Sequence, residues 1–242
     1  MYKRQGSCGC TSGNDVFYRF TLTAPEVVYA DTIGAAWDTS LFFQNSGGTT
    51  ISSSGLTNGL ACNDDGGLSG CNLPFRGASQ VMARLDAGTY YLVLSGCAAG
   101  SANIRFHHLP VGNGSVTALN AGSGQVIAGS TSGTGRVTSS CCSGGPENTY
   151  YWYTCGAFAG GTFSASTCFR ASWDTELDQR SAGRATVATC NDDVGGSGIF
   201  ACGIRSSIST TIPSGPGLHT LYVDGCTAGT ASGSYSVNVT RP

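Results

Sequence analysis

One short vocabulary is written twice in this 242-residue chain. Trp37-Asp38-Thr39-Ser40-Leu41 is followed by Cys62-Asn63-Asp64-Asp65, and Trp173-Asp174-Thr175-Glu176-Leu177 is followed by Cys190-Asn191-Asp192-Asp193. A duplication of this kind constrains the fold before any residue is interpreted, because whatever one copy folds into must be built twice. The register extends further. Asp86 to Cys97 answers Ser214 to Cys226, one residue longer, and each copy closes on an alternating segment, Asn103 to Leu109 and Ser234 to Val239. We place copy one at 6–109 and copy two at 115–242.

Short alternating segments separated by glycine-rich turns predict strands and no long helix. With 37 glycines in the chain, the expected fold class is all-β: two tandem antiparallel β-sandwich modules. A formal net charge of -2 gives no basic field for nucleic acid or anionic lipid. The longest apolar runs are of strand length, and none reaches the ~20 residues of a membrane-spanning helix.

Twelve cysteines against only 11% charged residues point to an oxidising compartment, so the protein is expected to be secreted or on the cell surface and disulfide-braced. Adjacent Cys141 and Cys142, and pairs nine or twelve residues apart, lack the C-x2-C spacing of zinc knuckles. Cys62 with Cys71, and Cys190 with Cys202, enclose the Asn-Asp-Asp segment in both copies and are expected to pair. Cys155 and Cys168 have no counterparts in copy one. They flank Gly160-Gly161, a hairpin signal, and are expected to bridge its strands. Cys10 with Cys97, and Cys142 with Cys226, would tie the entry of each module to its penultimate strand. Cys8 and Cys141 are left over, bridged between modules or separately partnered.

Matching the first strands of the copies sorts their faces. Tyr18 and Phe20 align with Tyr151 and Tyr153, aromatic both times, and are assigned to the core. Tyr150 and Trp152 then fall on the opposite face, where they would form an aromatic platform for a polysaccharide or an extracellular protein. Burial against a neighbouring element is the competing reading.

The ordered series Tyr-x-Phe strand, Asp-Thr-x-Leu, Cys-Asn-Asp-Asp, Ala-Gly-Thr-Tyr-Tyr-Leu-Val and closing Gly-x-Tyr-x-Val strand resembles the bacterial pre-peptidase C-terminal domain family, in its cysteine-bearing form. The resemblance covers nearly all of copy two and most of copy one. It implies jelly-roll-like sandwiches outside the catalytic domain of secreted proteins, with calcium or matrix polymers bound by some members. The tryptophan before Asp-Thr and the extra cysteine pair of copy two depart from that pattern.

Asp38 with Asn63, Asp64 and Asp65, and Asp174 with Asn191, Asp192 and Asp193, form the constellation best suited to chemistry. A hard cation such as calcium takes several oxygen ligands from a loop that wraps it. The competing reading is turn chemistry, since Asn and Asp bond their own backbone readily. Catalysis fits poorly. Adjacent carboxylates on a duplicated loop do not separate a protonated acid from an ionised partner across a cleft. His107, His108 and His219 recur at no matched position, and there is no Gly-x-Ser-x-Gly elbow, P-loop or dinucleotide fingerprint.

Two functional readings follow. In one, the chain is a non-catalytic extracellular binding or structural module, stabilised by calcium and mediating attachment. In the other, it is the accessory C-terminal region of a secreted hydrolase, a peptidase, whose catalytic domain lies upstream. Lys3 is the sole lysine, and Met1 to Gln5 resembles translated adapter DNA from a metagenomic assembly. Copy two is preceded by a Gly/Ser/Thr-punctuated stretch, 115–133, that reads as one or two opening strands. Copy one has no such prelude, so the sequence is expected to be part of a longer protein with further upstream domains.

Overall fold

A computed structural model of the protein describes residues 8, 14–69, 71, 77–139, 141–142, 144–182, 187–194, 202–226 and 231–242. Among these every regular element is a strand. The chain forms two compact units, Met1–Pro110 with Thr154–Phe158, and Val111–Tyr153 with Ala159–Pro242. Among the described residues no helix is long and apolar enough to cross a membrane.

Unit 1 contains β1 (Val16–Leu22), β2 (Glu26–Asp31), β3 (Thr39–Asn45), β4 (Cys62–Asn63), β5 (Gln80–Leu85), β6 (Gly88–Gly96) and β7 (Arg105–Pro110). One sheet runs β1-β6-β3-β4 and the other β5-β2-β7, so the chain passes back and forth between layers in jelly-roll fashion. The alternation in the sequence explains the core. Leu41 and Phe43 of β3, and Leu92 and Leu94 of β6, meet Val28 and Ala30 of β2, and Val81, Ala83 and Leu85 of β5. Phe20 of β1 closes one side, stacked on Tyr90 and tilted against Phe106.

Unit 2 adds β8 (Val116–Ala118), β9 (Gly122–Ser130), β10 (Asn148–Thr154), β11 (Gly161–Ser166), β12 (Thr175–Ala182), β13 (Val187–Asn191), β14 (Ser207–Ile212), β15 (Gly217–Gly225) and β16 (Ser234–Arg241). Its sheets run β13-β12-β15-β10-β8 and β14-β11-β16-β9. Removing β8 and β9 leaves the unit 1 order strand for strand. The two extra strands are edge strands formed by the stretch that precedes copy two in the sequence.

The first strands correct the sequence alignment. Trp152 is 2% exposed and stacks on Phe163 of the facing sheet and on His219. Tyr150, also 2% exposed, shares a hydrogen bond with the Tyr235 hydroxyl of that same facing sheet. The correct match is therefore Phe20 with Trp152, stacked respectively on Tyr90 and on His219. The earlier match is displaced by one residue, and with a side-chain period of two such a displacement exchanges the faces. Tyr150 and Trp152 are core residues and form no platform.

The bridges are also redistributed. Cys62 pairs with Cys8 rather than Cys71, and Cys190 with Cys141 rather than Cys202, each over 5.9 Å between Cα atoms. Cys62 lies opposite Phe42 on β3 and packs with Phe42, Val93 and Cys8 in a cluster distinct from the intersheet core. The enclosed loop then carries Cys71 away from that cluster. Cys155 does not pair with Cys168, because β10 and β11 belong to different sheets and Gly160-Gly161 closes no hairpin between them. Cys71 bonds Cys155, and Cys168 bonds Cys202. Cys142 bonds Cys226, as the sequence predicts. Cys97 is disulfide-bonded; the expected pairing with Cys10 lies outside the described residues.

Candidate metal centre

The two Asp-Thr words are held in the same way. Thr32 and Thr167 directly follow β2 and β11, and their hydroxyls meet those of Thr39 and Thr175 at 2.7 and 2.6 Å. The same Thr32 and Thr167 oxygens accept the backbone N–H of Ser79 and Ser206 at 2.9 and 3.1 Å. The Ser79 hydroxyl then shares its proton between the carbonyls of Thr39 and Asp64, at 2.5 and 2.7 Å. Ser206 bridges the carbonyls of Thr175 and Asp192 in the same manner. One buried hydroxyl thus fastens the Asp-Thr word to the Asn-Asp-Asp loop in each copy, and such a buried network holds only where its members are satisfied.

Tryptophan fixes the other side. The Trp37 indole donates to the Ser101 carbonyl at 2.8 Å and the Trp173 indole to the Ser234 carbonyl at 3.0 Å. Gly96 is required beside it, since a Cβ there would overlap the Trp37 ring. The N–H groups of Cys97 and Cys226 donate to the carbonyls of Asp38 and Asp174 at 3.2 and 3.3 Å, so the penultimate strand also carries the aspartate backbone.

This frame gathers carboxylates. In copy two, oxygens of Asp174, Asp192 and Asp193 all lie within 4.8 Å of one another; in copy one Asp38 and Asp64 are likewise close, beside Cys97. That sulfur is disulfide-bonded and is no ligand. Asp65 stands within hydrogen-bond reach of Asp38. Burial, followed by neighbouring carboxylates, raises Asp38, Asp64 and Asp174 above the ordinary aspartate range, and pushes Asp192 up to about 6. Among the described residues no basic side chain contributes to any of these four shifts. The Oδ1 atoms of Asp38, Asn63, Asp174 and Asp192 are buried with no hydrogen-bond partner, and Asn63 is 8% exposed. Several carboxylates held together with buried oxygens lacking donors fit a hard cation, which would supply positive charge that no described side chain brings to them.

The asparagines divide. Asn191 accepts from the Ser207 N–H at 3.0 Å and donates to the Asp193 carbonyl at 3.3 Å, so it shapes the loop, whereas Asn63 keeps its oxygen available. Two further groupings, Cys141 with Glu176 and Cys190, and Cys142 with Asp192 and Cys226, have their sulfurs tied up in bridges. The sequence reading missed Thr32, Thr167, Ser79 and Ser206. Ser79 and Ser206 sit two residues before the matched Val81 and Ile208, so comparison of the copies would have found them. It also missed Glu147, Glu176, Asp178 and Asp224, all buried in unit 2.

No protein-family model and no curated protein matches the chain. Among solved structures, the chain is similar to the N-terminal CBM22-1–CBM22-2 tandem domain of Paenibacillus barcinonensis Xyn10C. Identity is 13% and the TM-score 0.21, over 92% of this chain and 80% of that one. At that TM-score the likeness carries no argument about this protein.

Proposed function

We propose that each unit is a non-catalytic extracellular module that holds one calcium ion between its Asp-Thr word and its Asn-Asp-Asp loop, and that the pair serves as a binding or spacing part of a surface protein. The observation that carries the reading is the repetition. Ser79 and Ser206 lock the same two loops, and the matched Oδ1 atoms of Asp38 and Asp174 are both buried without a hydrogen-bond partner among the described residues. Asp38, Asp64, Asp65 and the Asn63 amide oxygen are the ligands in unit 1, and Asp174, Asp192 and Asp193 those in unit 2. Disulfide bracing supports an oxidising location, and the resemblance to pre-peptidase C-terminal domains agrees with both.

The histidines are engaged in packing and pairing within their own units: His219 is buried between Trp152 and the Ser181 hydroxyl, and His108 pairs with Glu26. Thermal melting with calcium and with chelator tests the proposal. Calcium is expected to raise both unfolding transitions, and Asp174→Asn to remove the shift from unit 2 alone. Identical melting curves in calcium and chelator would remove the metal from the account.

A further inference from the structure

The two units differ most at one edge, and the difference identifies what that edge receives. In unit 2 the outer edge of β10 carries β8 in parallel, with Thr149 N–H donating to Ser115 and Leu119 N–H donating to the Tyr151 carbonyl, both at 2.8 Å. The matching groups in unit 1 are the Phe17 N–H and the Arg19 carbonyl, and no strand pairs with that edge of β1 among the described residues. Val16, Phe17 and Tyr18 are 47, 43 and 46% exposed, whereas Tyr150, the match of Tyr18, is buried.

The second sheet shows the same gap. β9 runs antiparallel along β16 from Ser234↔Ser130 to Val239↔Gln125, whereas β11 reaches only Asn238 to Thr240 of that strand. The first half of β16 therefore has β9 as its partner strand, with a single bridge at Ala171↔Tyr235 and the Ser236 N–H bonded to the Arg170 carbonyl on the other side. Its match in unit 1, found from the shared tryptophan bonds to Ser101 and Ser234, is 101–104, which has no strand structure. β7 begins only at Arg105, where β2 supplies a partner.

We propose that the outer edge of β1 and the 101–108 segment together accept a strand–turn–strand polypeptide, one strand parallel to β1 and the next antiparallel to 101–108. Unpaired N–H and carbonyl groups beside exposed apolar side chains are what strand addition uses. The occupant is more apolar than β8 and β9. Asn148, which bonds Ser115 N–H, the Ser130 carbonyl and the Tyr235 hydroxyl in unit 2, is matched by Val16. Tyr235, whose ring lies so close that a Cβ on Gly129 would overlap it, is matched by Ala102. The occupant thus carries a side chain where β9 has glycine. The proposal does not depend on the metal.

Amide exchange of the full chain tests it, with a synthetic peptide of residues 115–131 bearing Gly129→Leu as probe. Peptide is expected to slow exchange about tenfold at 17–21 and at 101–104, as newly paired edges do. A peptide also carrying Leu119→Pro, which lacks the N–H aimed at Arg19, is expected to have no effect. No slowing at any peptide concentration, or equal slowing by the Leu119→Pro peptide, would overturn the proposal. Protection that appears without peptide and rises with a doubling of mass would assign the edge to a second copy instead, and would overturn it equally.

Discussion

Removing one hydroxyl at a time from the matched serines tests whether the copies are built alike. Ser79 and Ser206 are fully buried, and each hydroxyl serves two carbonyls while the backbone N–H makes a separate bond to Thr32 or Thr167. Ser79→Ala or Ser206→Ala would keep the backbone bond and remove the bridge. Leaving a buried acceptor short of its donor costs ~1–3 kcal/mol, so about 2 kcal/mol is expected at either site. For units of this size that is a fall of about 5–10 °C in the transition of the altered unit. Calorimetry with disulfides intact would read both transitions, and tryptophan emission would assign them, since Trp37 reports on unit 1 and Trp152 and Trp173 on unit 2. Near-equal shifts, each confined to one transition, are expected. A large shift for one serine and none for the other would refute the common frame.

Other perturbations have definite outcomes. Burial, followed by Glu147, Glu176 and Asp178 nearby, pushes Asp224 up to about 8, against a partial offset from the Gly225 N–H. The folded state therefore keeps a proton that the unfolded chain releases near its ordinary aspartate value. Stability of unit 2 is expected to fall as pH rises from about 4 to about 8, by up to ~1.4 kcal/mol per pH unit. Melting of Asp224→Asn against pH is expected to give a flatter curve, and an unchanged slope would contradict the assignment. Trp152→Ala, read by urea unfolding, is expected to destabilise unit 2 by ~3–5 kcal/mol through loss of core contacts. Gly96→Ala would displace the Trp37 ring and shift unit 1 tryptophan emission to the red, leaving unit 2 melting unchanged.

The strand inventory was legible in the sequence because period-two patterns such as Val81, Ala83 and Leu85 survive duplication at Ile208, Thr210 and Ile212. The bridges were largely not. Enclosure of a loop by Cys62 and Cys71 is a statement about sequence distance, whereas pairing is decided by which cluster each sulfur joins, and Cys62 joins that of Phe42 and Cys8. The platform failed for a related reason. Tyr150, Tyr151, Trp152 and Tyr153 are all aromatic, so alternation could not reveal which pair faced inward, and only the stacking of Trp152 on Phe163 fixes it. The Asp and Asn residues of the loops were visible as a motif; the serine that locks them was not, because serine is common throughout the chain and only pairing brings Ser79 and Ser206 to their carbonyls.

Calorimetric titration of the full chain with calcium tests the central claim most directly. The account predicts two sites per chain, reduced to one by Asp38→Asn or Asp174→Asn alone and to none when both are changed. Absence of binding heat, or binding that persists in the doubly altered chain, would contradict it.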